Sequence, residues 1–347
     1  MKPLTIVLPL FLFISGCKQA NHTSSSINEN VNKDSIIGKV EWYDSSDAKA
    51  IDSNATIDVI GKGFSWAEGP LWIPTEKRLL FSDVPANKIF QWKMGDTPHV
   101  YLTPAGYTGK MERTGEIGSN GLALDNDRRL LICQSGNRQV VRLNTTIDSP
   151  VARFTILAST YNGKRLNSPN DLVVDKKNNI YFTDPIYGLP KGEKDPEREL
   201  PFEGVYKISA DGKLSLLIDS ISRPNGIAFS ADEKTLYIAS SDDYNPAWYA
   251  YALDEKGNIK SGHVLLDALP LTKKAAVKQM PDGFKIDKHG NIFSAGPDGI
   301  NIISPEGKVL GLIRVYNRRT SNCSFSATKD TLYVTANDLV LRIILHH

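Results

Sequence analysis

Apolar positions along this chain fall in short runs separated by turn-rich polar segments, and the runs recur in a set order. One acidic or amide residue opens each copy: Glu68-Gly-Pro-Leu-Trp72, Asn120-Gly-Leu-Ala-Leu-Asp125, Asn170-Asp-Leu-Val-Val-Asp175, Asn225-Gly-Ile-Ala-Phe-Ser230, Asp282-Gly-Phe-Lys-Ile-Asp287 and Asn322-Cys-Ser-Phe-Ser326. A second apolar run follows each, such as Leu79-Leu-Phe-Ser-Asp83 and Ile180-Tyr-Phe-Thr-Asp184, and most copies have a third, such as Trp248-Tyr-Ala-Tyr251. The runs are rich in Val, Ile, Leu, Tyr and Phe and are bounded by turn formers such as Asp211-Gly212 and Lys256-Gly257, which is strand chemistry. No long stretch keeps the apolar spacing of an amphipathic helix. Several short strands repeated with a period of 40 to 57 residues predict an all-β, six-bladed β-propeller. An open ring would expose an unpaired sheet edge. Only four residues follow Ile343, so the strand-like segment from Ala55 to Ile60 is expected to pair into the last blade and close the ring.

The N-terminus changes the picture at one end. Met1-Lys2, an apolar stretch from Leu4 to Ile14 and the ending Ser15-Gly16-Cys17 describe an export signal too short to span a bilayer. The ending resembles a bacterial lipobox, which implies cleavage before Cys17 and lipidation of its thiol. The expected organisation is a signal peptide over residues 1–16, a polar tether over 17–35 and one propeller over 36–347. It places the protein on a lipid anchor in the bacterial cell envelope, facing the periplasm and held at the outer membrane. Cys133 and Cys323 fall in blades that are not neighbours, so two free, buried thiols are expected rather than a disulfide.

Charge adds little beyond exclusions. There are 41 Lys and Arg against 39 Asp and Glu, a net charge of +2 with both signs mixed along the chain, so no basic stripe marks a nucleic-acid partner. No obligate protein partner is evident. None of the six histidines opens a repeat, and no Gly-x-Ser-x-Gly elbow is present.

The candidate chemistry lies where the repeats meet. The first strand of each blade lines the channel of a propeller, so Glu68, Asn120, Asn170, Asn225, Asp282 and Asn322 are expected to converge at one level. Asn-Gly and Asp-Gly are ordinary turn pairs when met singly; six in register read instead as an all-oxygen ring. Such a ring suits a divalent cation, Ca²⁺ first, with Mg²⁺ or Mn²⁺ possible.

Several phrases carry a family resemblance: Trp66-Ala-Glu-Gly-Pro-Leu-Trp72, Gly118-Ser-Asn-Gly-Leu-Ala-Leu124, Gly163-Lys-Arg-Leu-Asn-Ser-Pro-Asn-Asp171, Tyr181-Phe-Thr-Asp-Pro185, Arg223-Pro-Asn-Gly-Ile-Ala-Phe-Ser230 and Pro281-Asp-Gly283. From about residue 55 to 345 the chain resembles the gluconolactonase, senescence-marker-protein (regucalcin) and luciferin-regenerating-enzyme family, in its bacterial gluconolactonase branch. The resemblance implies a divalent ion held by Glu68, Asn225 and Asp282, with Asn170 a ligand or a substrate contact. Asn120 and Asn322 match the branch and are taken as substrate contacts. One departure is Gln134-Ser135-Gly136, where many members of the branch carry Glu-His-Gly.

The oxygen ring taken with this resemblance implies a lactonase acting on a sugar lactone such as glucono-1,5-lactone, through a water activated by the cation. Asp282 is the expected base, with Asp184 the other candidate. Loop residues Arg165, Asn167, Tyr187, Asp242, Asp243, Tyr244 and Arg318 are candidate substrate contacts. The segment from Leu189 to Pro201 reads as a lid or as a long surface loop. The alternatives are a non-catalytic binding propeller for a glycan or partner protein, and a phosphotriesterase-like hydrolase.

Overall fold

The computed structural model of the chain describes Met1, residues 37–43, Ile51, residues 55–110 and residues 112–345. The expected signal (residues 1–16), Cys17 and the tether (residues 17–35) fall outside these residues, Met1 apart. Among the described residues no helix is long and apolar enough to cross a membrane.

Each repeat is one antiparallel sheet. Blade one is Ala67–Ile73, Arg78–Asp83, Lys88–Lys93 and His99–Leu102; blade two is Ser119–Leu124, Leu130–Gln134, Gln139–Leu143 and Phe154–Ala158. Blade three is Leu172–Val174, Ile180–Asp184, Gly204–Ile208 and Leu214–Ile218; blade four is Pro224–Phe229, Thr235–Ser240, Ala247–Leu253 and Ile259–Asp267. Blade five holds Phe284–Ile286, Ile292–Gly296, Gly299–Ile303 and Val309–Val315, and blade six Asn322–Phe325, Thr331–Ala336 and Leu339–Ile344. The fourth strand of blade six is Ile57–Lys62, with Ile57 opposite Ile343 and Val59 opposite Leu341. The ring is therefore closed as the sequence predicts, by a strand that lies two residues later than the expected segment.

A second N-terminal strand was not foreseen. Gly38–Trp42 pairs with Val309–Val315 and makes blade five five-stranded. Arg314 clasps the Glu41 carboxylate through Nε and Nη2, each at 3.0 Å. This run stands alone, outside the repeat, so periodicity could not reveal it.

The second strand of each blade is apolar at nearly every position because both of its faces are covered. Leu79 and Phe81 pack toward blade six with Trp92, Tyr333 and Val340, while Leu80 turns to blade two with Ile132 and Val141. The alternation continues around the ring. Leu131 and Cys133 meet Phe182 and Tyr206 of blade three; Tyr181 and Val205 meet Ile227 and Ile238 of blade four; Trp248 meets Phe284 and Ile303 of blade five; Phe293 and Ile302 meet Val334 and Leu341 of blade six. At the closing gap Trp72 stacks on Tyr333 with centroids 4.9 Å apart, an arrangement contributing about 0.5–1.5 kcal/mol beyond its buried area. Cys133 and Cys323 are buried and free, as expected.

The Asp that closes several repeat phrases organises the turn into the second strand. Asp125 Oδ1 accepts the N–H of Asp127 and Arg129, Asp175 Oδ1 those of Lys177 and Asn179, and Asp287 Oδ1 those of His289 and Asn291. A short carboxylate that satisfies two turn amides makes these tight connections reproducible.

Removing all residues before Phe64 would strip Leu339–Ile344 and Val309–Val315 of their outer partners and leave each as an open sheet edge. Such a chain is expected to lose a single cooperative thermal transition and to aggregate with rising concentration, read by calorimetry and light scattering. A truncated protein that melts like the full chain would show that closure contributes nothing.

Candidate active site

The innermost strands approach so closely at the axis that every blade-to-blade step carries a hydrogen bond. Ser82 Oγ donates to Asn120 O at 2.9 Å, Gly121 N to Asn170 O at 2.7 Å, and Thr183 Oγ1 to Asn225 O at 2.7 Å. Ser241 Oγ donates to Pro281 O at 2.5 Å, Gly283 N to Ser321 O at 2.8 Å, and Ser321 Oγ to Ala67 O at 2.6 Å. The repeat-opening pairs are therefore not turns. In blades one, two and four the strand register slips across them, between Glu68 and Leu71, Ser119 and Leu122, and Pro224 and Ile227. A bulge there re-aims the opening side chain. Glycine follows because nothing larger fits: Gly69 has φ +52°, and a Cβ on it would sit 2.1 Å from Asn120 O.

Glu68, Asn120, Asn170, Asn225 and Asp282 line one axial cavity of about 240 Å³. Four of them are buried and Asp282 is half-buried. Asn322, the sixth opening residue, does not line it. Its Nδ2 donates to Asp171 Oδ2 at 3.3 Å and its Oδ1 accepts from Cys323 N, with Lys285 Nζ 3.4 Å away. Blades three and six face each other across the ring, so this Asp171–Asn322 contact crosses the channel beneath the cavity. The Asn322 side chain also hydrogen-bonds the Glu68 carboxyl, so it ties a cavity residue to the Asp171 contact below.

The amides present their oxygens. Asn225 Nδ2 donates to Ser241 Oγ at 3.0 Å, which commits its nitrogen end. Asn120 Oδ1 and Asn170 Oδ1 are buried without a hydrogen-bond partner among the described residues. The carboxyls are equally uncompensated. Burial holds Glu68 at about 8, helped by the nearby Asp171 and Glu116 charges and opposed by the Gly69 N–H it accepts at 2.7 Å. Burial also raises Asp282 well above the usual carboxylate range, with Glu68 and Glu116 adding to it. Desolvation lifts Glu116 to about 7. Orphaned amide oxygens beside carboxyls that resist ionising are what a hard divalent cation would satisfy. Among the described residues no three His, Cys, Asp or Glu side chains group as a metal site, so any such donor set depends on the amides.

Other expected site residues lie elsewhere. Asp184 is fully buried; its Oδ2 accepts the Asn167 N–H at 2.8 Å, and burial raises it to about 7. Asp83 holds the same place in blade one, accepting from Ser65 and Trp66. An acid at this strand end clamps the loop entering its own blade, and Asp184 does not reach the cavity. Asn167 donates through Nδ2 to Asp184 O and Phe202 O, and its Oδ1 is buried without a partner among the described residues. Arg165 is exposed on a two-stranded hairpin and bonds Asn137 O. Asp242 accepts from Tyr244 and Asn245 in a loop turn, Tyr244 is solvent-exposed, and Arg318 pairs with Asp338 at 2.8 Å. Tyr187 and Asp243 do line the cavity. Ser135, which stands where the branch often has His, is buried and donates to Pro169 O at 2.9 Å.

The segment from Leu189 to Pro201 is docked. Leu189 and Leu200 are buried, Asp195 accepts from Lys191 and Glu197, and the buried Arg138 donates through Nη1 to Glu197 O at 2.6 Å.

The cavity wall also holds residues that motif reading did not single out as site residues: Trp66, Glu116, Arg223, Lys278, Gln279 and Arg319. Each comes two to four positions before a repeat-opening residue. The loop that enters an innermost strand must pass over the channel mouth, and that spacing was the available signal.

A six-bladed propeller with a carboxylate- and amide-lined axial cavity is the class that fold and site define. The chain belongs to the SMP-30/gluconolactonase/LRE-like family, whose profile matches residues 66–338. It is 35% identical over 312 residues to a gluconolactonase of Zymomonas mobilis, covering 89% of this chain and 86% of that one. It is 26% identical over 277 residues to Homo sapiens regucalcin, covering 77% and 82%. A solved Xanthomonas campestris gluconolactonase superposes with a TM-score of 0.76 at 28% identity, over 89% of this chain and 95% of that one.

The carboxyls predict an unusual pH dependence. Glu68 moves from an ordinary value of 4.5 to about 8 on folding. Between those values the folded chain holds a proton that the unfolded chain lacks, so stability is full at low pH and falls as pH rises through this window. In chelator, the melting temperature is expected to drop between about pH 5 and pH 8, and added Ca²⁺ to restore more at the upper end. Glu68→Gln should flatten the profile. A chelated protein whose melting temperature stays level or climbs over this range would contradict the account.

Proposed function

We propose that this chain is a lactonase that hydrolyses a sugar lactone of the aldonolactone type in the axial cavity. The observation that carries the reading is the set of two carboxyls and three oxygen-presenting amides at one level of that cavity. The relatives named gluconolactonase support it. Glu68, Asn170, Asn225 and Asp282 would hold a divalent cation, with Ca²⁺ the best match to all-oxygen donors. Such an ion supplies Lewis-acid polarisation of the lactone carbonyl and stabilises charge developing on its oxygen.

The chain's own side chains do the rest. Asn120 reaches the cavity floor and its amide can bond the bound lactone. The Trp66 and Tyr187 rings offer faces on which a sugar ring packs. We assign the proton acceptor to Glu116 rather than to Asp282, which is committed to the donor set, or to Asp184, which is sealed in blade three. Glu116 lines the cavity, stays outside the four donors and is poised near neutrality, where a general base works best. Its carboxylate takes the proton of the attacking water as the new C–O bond forms at the carbonyl carbon. It then returns that proton to the ring oxygen as the ester C–O bond breaks, giving the open-chain hydroxy acid.

With glucono-1,5-lactone as substrate, chelation and Asp282→Asn should each abolish most proton release in a pH-stat. Glu116→Gln should lower kcat/KM by about 10²–10⁴-fold. It should also remove the acid limb of the pH–rate profile measured with Ca²⁺ present. Full activity after both chelation and Asp282→Asn would overturn the reading.

We also place the protein in the bacterial cell envelope on a lipidated Cys17, from its Ser15-Gly16-Cys17 ending. Cys17→Ser should move it from the membrane pellet to the soluble fraction; unchanged fractionation would count against the anchor.

A further inference from the structure

The rim of the cavity carries charge that lactone hydrolysis alone leaves unused. Three cationic side chains line it: Arg223, Lys278 and Arg319. Arg223 is matched by Asp243 at 3.4 Å. Lys278 and Arg319 have no carboxylate partner among the described residues, and both are exposed at the mouth.

Their loops are built to stay together. Gln279 donates through Nε2 to Thr320 O, tying the residue after Lys278 to the residue after Arg319. Val277 N donates to Asp298 Oδ1 at 2.7 Å, Thr320 Oγ1 to Gly299 O at 2.9 Å, and Arg319 N to Asn337 Oδ1 at 2.7 Å. Gln279 is 8% exposed and its Oε1 lacks a partner. Like charges carried on these tied loops repel one another, and among the described residues no carboxylate pairs with either.

The charge balance indicates what would pair with them. A divalent cation on the donor set offsets Glu68 and Asp282, and Asp243 offsets Arg223. One carboxylate, Glu116, then faces two cations, leaving one positive charge. Glu116 enters from blade two, across the axis from the Lys278 loop of blade five. A lactone with its ester toward Glu116 would present its far end to Lys278 and Arg319.

Resting on the lactonase reading, we propose that the preferred substrate is a lactone bearing an anionic oxygen group, carboxylate or phosphate, on the carbon remote from the ester, and that Lys278 and Arg319 bind that group. Gln279 Oε1 stands beside them as an acceptor for a neighbouring hydroxyl.

The test compares kcat/KM of the full-length, Ca²⁺-loaded protein on three substrates: glucono-1,5-lactone, its 6-phosphate ester, and a hexaric acid monolactone. At least one charged lactone should exceed the neutral one by about tenfold or more at low salt. The advantage should shrink as ionic strength rises. Which charged lactone leads decides between phosphate and carboxylate. K278A/R319A should collapse the charged-to-neutral ratio, and Lys278→Glu should invert it. Both positions are solvent-exposed, and matching melting curves would show that the variants fold. Neutral and charged lactones used equally well, or a charged preference that survives K278A/R319A, would overturn this proposal alone. Failure to hydrolyse any of the three would overturn the lactonase reading and this one with it.

Discussion

Close approach of six innermost strands at one axis is the constraint on which the rest of the molecule depends. Backbone carbonyls at that axis are out of reach of bulk water, and a buried carbonyl left unpaired costs about 1–3 kcal/mol. The chain satisfies them sideways, blade to blade, through Ser82, Gly121, Thr183, Ser241, Gly283 and Ser321. Three of the accepting carbonyls belong to Asn120, Asn170 and Asn225. The bond that joins two blades thus also sets the backbone of a residue whose side chain lines the cavity. Ring integrity and site geometry share the same atoms.

That coupling explains the electrostatic layering of the axis. Below the cavity, Asp171, Asn322 and Lys285 meet across the channel and close it. Above them, Glu68 and Asp282 resist ionisation because burial removes water, and the Glu68 and Glu116 charges raise Asp282 further. Of the residues lining the cavity itself, the cations are Arg223, Lys278 and Arg319 at its mouth. Negative charge inside and positive charge outside favour entry of an anion past the rim while keeping the floor ready for a cation.

Rigidity extends to the walls. The segment from Leu189 to Pro201 could have been a lid by composition, being charged and proline-bearing. Its buried leucines and the Arg138 bridge to Glu197 make it a fixed wall instead. Asp83 and Asp184, at the ends of second strands, clamp the loops that enter blades one and three. An acid at a strand end on the active face looks catalytic in one dimension; in three it is a loop anchor.

Read alone, the chain determined whatever depends on period. Runs alternating between two covered faces specify strands, six copies specify the blades, and the unmatched last blade calls for an N-terminal partner strand. The set of oxygen-bearing openings followed from the same register. Only the tertiary structure could decide depth and direction. Asn322 matches the other openings in sequence, yet Asp171 from the opposite blade captures its amide below the cavity. Glu116, Lys278, Gln279 and Arg319 belong to no repeat phrase, and they become site residues because their loops cross the channel mouth. Gly38–Trp42 joins blade five because an exposed strand edge was available there. Period is a local property of the chain, whereas burial and charge partners come from segments far apart in sequence, and those meet only when the ring closes.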